Sequence, residues 1–291
     1  MVGGGVHVGV ALVDSVSFKV MFVPMVNSPD FDPLDLGGDE ATWLVFNDRS
    51  EVLLVDGQIP QGAIPPVGST NVHLLGKDGE QPVLAARLDP ESNWPDDATW
   101  ANLRHLYGAV SEGEWVMAGR AVQILDWDRD HQFCGRCGEP TGHHGRDRAR
   151  ECAKCKLLAY PRVTPAIIVL VERSDGHALL AWGRQFPGRF YSALAGFVEP
   201  GETFEQAVGR EVGEEVGVEV GNVSYFGSQP WPFPNSVMIG FNADYTGGDI
   251  VIDETEIVEA DWFKPDALPP VPRGGMSIAG WLIEDWLRRT A

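Results

Sequence analysis

Cysteine, basic charge and long apolar runs are what this 291-residue sequence has least of. Its apolar stretches are short, Ala166 to Val171 (AIIVLV) being typical, against the roughly 18 residues that a membrane-spanning helix takes. The opening stretch, MVGGGVHVGVALVDSVSFK, has no early Lys or Arg and no clean apolar centre. It makes a poor signal peptide, so a cytoplasmic protein is expected. Lys and Arg number 22 against 42 Asp and Glu, for a net charge of −20. Such a surface repels polyanions, which argues against a general nucleic-acid binder. No internal repeat and no low-complexity tract is visible. Hydrophobic residues, at 44 %, are ordinary globular usage, so there is apolar surface enough for a packed core.

What is present falls into three textures. Up to about residue 128, short apolar stretches (TWLVFND, SEVLLVDG, QPVLAARLD) alternate with Gly, Pro and Asp turns. They predict a mainly-β α+β domain over 1–128, with one helix near DDATWANLRHLYGAV, Asp96 to Val110. All four cysteines fall in 129–160. From 161 to 291, strand-like runs (TPAIIVLVER, HALLAWGR, SVMIGFNADY) precede an amphipathic C-terminal helix, MSIAGWLIEDWLRR.

Cys134, Cys137, Cys152 and Cys155 form two CxxC knuckles with 14 residues between the pairs. Each knuckle sets two sulfurs on a tight turn, and two knuckles close a tetrahedron around zinc. Four thiolates leave no open position, so the metal is structural. Disulfides and a redox pair are the alternatives, disfavoured in a reducing compartment. His131, His143 and His144 are then bystanders. Residues 129–162 hold eight Lys or Arg and four acids, an island of +4 in an acidic chain. It either draws a small phosphate ligand or offsets the charge of the metal site.

The stretch GFVEPGETFEQAVGREVGEEVGV, Gly196 to Val218, holds six glutamates. Thr203 and Gln206 fit a capping box, and Gly217 is placed to end the helix as a left-handed cap. Inside it, Glu211, Glu214 and Glu215 stand at i, i+3 and i+4, on one face, where they repel. Gly209 and Gly213 weaken the helix further, by roughly 1 kcal/mol each relative to Ala. Either this is a solvated acidic face, or the carboxylates exist for a hard cation such as Mg²⁺ or Mn²⁺. Arg210 is placed to orient a carboxylate and Glu202 to support from the loop end. The stretch matches Gx5Ex7REUxEExGU at every fixed position (Gly196, Glu202, Arg210, Glu211, Val212, Glu214, Glu215, Gly217, Val218). It thereby resembles the Nudix hydrolases. The resemblance implies an α/β/α sandwich with a mixed sheet, and Mg²⁺- or Mn²⁺-dependent hydrolysis of a nucleoside diphosphate linked to another group. Glu215 is the expected base, Glu214 the next choice.

Downstream lies SQPWPFPNS, Ser228 to Ser236. Three prolines in five residues exclude regular helix and an interior strand. The stretch reads as a stiff loop whose Trp231 and Phe233 either stack on a flat base or plug the core. Together with the preceding cysteine module and N-terminal domain, it is similar to the NADH pyrophosphatase family of Nudix hydrolases. That resemblance covers the chain from about Arg120 onward. It implies hydrolysis of NAD(H) to nicotinamide mononucleotide and AMP, or removal of NAD caps from RNA 5′ ends, in a homodimer. It also implies Glu211, Glu215, Glu256 and the carbonyl of Ala195 as Mg²⁺ or Mn²⁺ ligands. By the same resemblance Tyr160, Phe197, Gln229, Pro230, Trp231, Pro232, Phe233, Pro234, Asn235, Ser236 and Ala279 line the substrate pocket. Arg104 stands near a family substrate contact, one residue off in its spacing to Ala118–Arg120. Asp147 lies where the family can place a substrate-contacting acid. A Nudix hydrolase for another dinucleotide, such as ADP-ribose, is the rival enzyme.

Overall fold

Side chains alternate between two cores along Ala41–Phe46 (β1). Leu44 and Phe46 join one buried cluster; Ala41, Trp43 and Val45 join another. A strand covered on both faces needs apolar residues at every position, which is why TWLVF is continuous rather than alternating. The computed structural model describes residues 40–62, 69–78, 81–88 and 98–291.

After β1 come Glu51–Val55 (β2), Gln61–Gly62 (β3), Ser69–Asp78 (β4), Gln81–Leu88 (β5) and Ala98–Asn102 (β6), followed by helix Glu112–Asp130 (α1). Thr141–His143 (β7), Arg150–Cys152 (β8) and Leu158–Ala159 (β9) form a small antiparallel sheet. The last part holds Thr164–Glu172 (β10), Ala178–Gly183 (β11), Leu194–Phe197 (β12), helix Phe204–Val216 (α2), Glu219–Trp231 (β13), Ser236–Gly247 (β14), Ile257–Phe263 (β15) and helix Ile278–Thr290 (α3). Its sheet runs β13-β14-β10-β11-β15, with β12 also on β10. Only β10 and β14 pair in parallel there, from Thr164↔Ser236 to Glu172↔Asp244, so the sheet is mixed. Ala207, Val208, Val212 and Val216 of α2 pack on one face with Ile167 and Val169. Ile278, Leu282, Ile283 and Trp286 of α3 cover the other with Ile168 and Leu170. This is the α/β/α sandwich expected. Each of these buried aliphatic side chains contributes about 1.5–3 kcal/mol by leaving water.

The N-terminal sheet corrects one reading. Its order is β4-β5-β1-β2-β6, with β3 also on β1, and β1 and β5 pair in parallel while the other pairs are antiparallel. Strand for strand this is the topology of the C-terminal sheet. α1 packs on β1, β4 and β5, as α3 packs on β10, β13 and β14. An internal repeat therefore exists where the sequence displays none. The copies differ at α2, which has 13 residues, while six positions separate Gly62 from Ser69. The acidic helix has no room for a counterpart.

The helix expected over 96–110 is also corrected. Ala98–Asn102 is a strand on β2, with Leu53 facing Trp100, and turns follow it. The helix starts after Ser111, which closes a capping box with Glu114. α1 continues to Asp130 and ties the first domain to the cysteine module. Asp128, 2 % exposed, pairs with Arg150 of β8, and Trp127 Nε1 donates to the carbonyl of Ala159 at 3.1 Å.

Candidate active site

Local sequence builds α2 as expected. Thr203 accepts from the Gln206 amide and Gln206 accepts from the Thr203 amide, while Gly217 takes φ 72° and donates to the carbonyl of Gly213. Glu211 and Glu215 turn inward, 9 % and 8 % exposed. Glu214 points to solvent, its side chain 62 % exposed.

Arg210 organises the face. Its Nε donates to Glu202 Oε1 at 2.6 Å, and its Nη1 to Glu211 Oε1 and Glu214 Oε2, both at 2.9 Å. Nη2 reaches the carbonyl of Phe197 and Glu202 Oε2, again at 2.9 Å. One guanidinium thus offsets much of the repulsion among three carboxylates, and it holds the Glu202 carboxyl down to about 2. Glu215 receives none of this help. Its Oε2 is buried without a hydrogen-bond partner. Burial first, then the charges of Glu211, Glu256 and Glu214, push it up to about 8. Burial likewise raises Glu211, against the pull of Arg210.

A buried, unpartnered carboxylate oxygen beside two further carboxylates is a poor arrangement for a closed protein and a good one for a divalent cation. Glu211 and Glu256 reach Glu215 through their charges, although the three carboxylates do not close as tightly as the four cysteine sulfurs do. Strand β12 approaches this face through Gly196, where a Cβ would fall inside the Glu211 carboxylate. Gly196→Ala is expected to displace Glu211, lowering turnover roughly 30-fold while leaving the circular dichroism spectrum unchanged. Unchanged kcat at saturating cation would show that the close approach is dispensable.

Glu215 opens into a cavity of about 460 Å³. Ala195, Gln229, Trp231 and Ala279 line it, as does Arg104 from the N-terminal domain. Arg104 lies over the rings of Phe233 and Trp231, 3.8 and 5.4 Å from the centroids. The remaining expected pocket residues lie outside it. Phe233 packs against the N-terminal core instead, while Trp231 lines the cavity. Pro230 pairs with Val237 and Trp231 with Ser236, so the stretch starts as an edge strand and turns only at Pro232 to Asn235. The Phe233–Pro234 peptide is cis, and the Asn235 carbonyl accepts from the Thr164 amide. Tyr160 and Phe197 are exposed, 52 % and 55 %, with Tyr160 donating to Asp147 at 3.2 Å. The Gln229 amide does not face a ligand. Nε2 donates to the Met276 carbonyl at 2.9 Å and Oε1 accepts from the Ile278 amide at 2.8 Å.

Sequence reasoning missed Phe186, Phe190 and Arg273 on the cavity wall. The first two meet edge to face at 5.3 Å. Their signal was available: QFPGRF sets two aromatics around a Pro-Gly turn.

The four cysteine ligand atoms lie within 4.8 Å of one another. Sulfur pairs stand 3.5 to 3.7 Å apart, far beyond a disulfide bond and suited to four ligands of one ion. The Arg136 and Cys155 amides point at the Cys134 and Cys152 sulfurs, which favours thiolates. The nearby histidines are engaged elsewhere: His131 with the Trp127 carbonyl, His143 near Asp128, His144 near Asp147.

Three family models match the chain. They are a NADH pyrophosphatase-like rudimentary NUDIX domain over 40–127, a NADH pyrophosphatase zinc ribbon domain over 129–160 and a NUDIX domain over 162–282. The first extends the resemblance to the region where sequence motifs gave little. The NAD-capped RNA hydrolase NudC of Deinococcus radiodurans is 46 % identical over 80 % of this chain and 83 % of its own length. That of Edwardsiella ictaluri is 39 % identical over 86 % and 95 %. That of Pseudomonas aeruginosa is 47 % identical over 75 % and 77 %.

Proposed function

We infer from its family that this chain, which belongs to the zinc-ribbon-containing NADH pyrophosphatase group of the Nudix hydrolases, hydrolyses the pyrophosphate bond of NAD(H) to nicotinamide mononucleotide and AMP. The observation that carries the reading is the unpartnered Glu215 carboxylate opening into a cavity walled by Trp231 and two arginines. Trp231 offers a flat face for a base. Arg104 and Arg273 offer positive charge for a pyrophosphate in a chain of net charge −20.

Mg²⁺ or Mn²⁺ is the cation this donor set suits, held by Glu211, Glu215 and Glu256 with the carbonyl of Ala195. When bound, it supplies positive charge against the phosphate oxygens and eases deprotonation of water. The protein's own groups do the rest. Glu215 takes the proton of the water that attacks phosphorus. Arg210 keeps Glu211 and Glu214 in place. The leaving group is a phosphate monoester, which departs without a strong general acid. The zinc ribbon supports α1 and takes no part in the chemistry.

The relatives bear the name NAD-capped RNA hydrolase, and this favours a second reading at the same site: release of NAD caps from RNA 5′ ends. Exposed Tyr160 and Phe197, outside the cavity of one chain, support a homodimer in which a second copy brings them to the substrate. Among the described residues no helix is long and apolar enough to cross a membrane, and we place the enzyme in the cytoplasm. Incubation with NADH and Mg²⁺ should release AMP and reduced nicotinamide mononucleotide in equal amounts by chromatography. Faster turnover of ADP-ribose would instead assign the cavity to another dinucleotide. NAD-capped RNA run beside NADH, at several salt concentrations, ranks the two substrates.

A further inference from the structure

Among the described residues the N-terminal domain repeats the strand order of the catalytic sheet without an acidic helix, yet it touches the cavity wall from two sides. One wall is the end of β13, Gln229 and Trp231, which Pro232 follows outside the cavity. The other is the segment from Val271 to Ile278, which carries Arg273. Gln229 ties the walls together through the Met276 carbonyl and the Ile278 amide. The first wall rests on α1: a Cβ on Gly119 would stand 2.9 Å from Cγ of Pro232. A proline ring can withdraw its Cγ only by changing pucker. The second wall rests on Tyr107: a Cβ on Gly275 would stand 2.7 Å from its hydroxyl. Tyr107 is itself backed edge to face by Trp115 of α1, ring centroids 5.3 Å apart.

Glycine in mid-helix is unfavourable unless something needs the space, and α1 has Gly119 where Pro232 arrives. We propose that Gly119 and Tyr107 are positioning residues, through which the N-terminal domain sets the width of the dinucleotide cavity by seating Pro232 and Gly275. This role rests on the reaction inferred above. Neither residue needs to touch substrate. Both act on the groups that do, Trp231 and Arg273.

The test is a pair of rescue cycles on the full-length protein, with steady-state kinetics on NADH at saturating Mg²⁺. Gly119→Ala should raise KM about tenfold with kcat within about twofold of wild type, the signature of altered binding rather than altered chemistry. Adding Pro232→Ala removes Cγ and should leave the double variant no worse than Pro232→Ala alone, a coupling that independent sites would not show. Gly275→Ala lies on an exposed loop and folds whether or not Gly119→Ala does. It should raise KM likewise, and Tyr107→Phe, which deletes the hydroxyl, should restore it. Unchanged KM in Gly275→Ala, or raised KM that neither second substitution relieves, overturns the positioning role while leaving the reaction standing. Wild-type protein inert toward NADH overturns the reaction, and this role with it.

Discussion

Glu215→Gln should keep the fold and reduce kcat on NADH by about 10³-fold at saturating cation, within the range a lost general base accounts for. The substitution preserves shape and removes charge from a side chain only 8 % exposed. Glu214→Gln, on a side chain 62 % exposed and held by Arg210, should cost far less. Near-normal turnover in Glu215→Gln would take Glu215 out of the mechanism.

The same substitution has a second readout. In chelator, Glu215 is pushed up to about 8, chiefly by burial and then by Glu211. Its folded pKa lies above its unfolded one, so protonation favours the folded state. The contribution is fully present below about pH 4.5 and is lost as pH rises through about 8. The full loss is on the order of a few kcal/mol. Metal-free wild type should therefore melt at lower temperature at pH 8.5 than at pH 5, and Glu215→Gln should flatten that slope. Adding Mg²⁺ at pH 8.5 should raise the wild-type midpoint and leave the variant little changed. A slope equal in both proteins would show that the buried carboxylate is relieved by some other route.

The acidic helix was legible because its signals are local. A capping box, a left-handed glycine and carboxylates at i, i+3 and i+4 all sit within 16 residues of Thr203 and need no tertiary partner. The same signal stood at Ser111 and Glu114 and was passed over. α1 is buried on several sides, with Trp115, Ala118, Val122, Ile124, Leu125 and Trp127 all inside, so its apolar pattern lacks the single stripe that marks a surface helix. Thr99 and Trp100 became strand because β2 pairs with them, a contact spacing does not encode. The repeated topology was invisible for a similar reason. Strand order is set by long-range pairing, and the N-terminal stretch carries no acidic motif of the kind that announces the second copy. Within the site, Glu211 and Glu215 were readable. Arg104 was only loosely placed and Arg273 was missed, because they reach the cavity from other parts of the chain.

Cys152→Ser should abolish zinc binding, where wild type should show one ion per chain by metal analysis. Cys152 is fully buried on β8, its sulfur 3.5 Å from that of Cys137. Structural zinc is worth about 10–16 kcal/mol in isolated zinc-finger peptides, far more than a three-stranded sheet of eight residues gains from its own core. Without the ion the module opens, and β8 carries Arg150 away from Asp128. That takes from Asp128 its guanidinium partner and leaves it with His73, 3.6 Å away, a change that costs about 1.5–3 kcal/mol and lowers the melting midpoint by roughly 5 °C. The consequence for catalysis follows from where α1 leads. Glu211 and Glu215 lie on another helix and keep their geometry, so kcat should fall little. Gly119 lies on α1 itself, so loosening that helix loosens the seat of Pro232, and KM should rise. A variant that lost zinc but kept both its melting midpoint and its KM would uncouple the module from the cavity. Wild type without zinc would return the cysteines to a redox role.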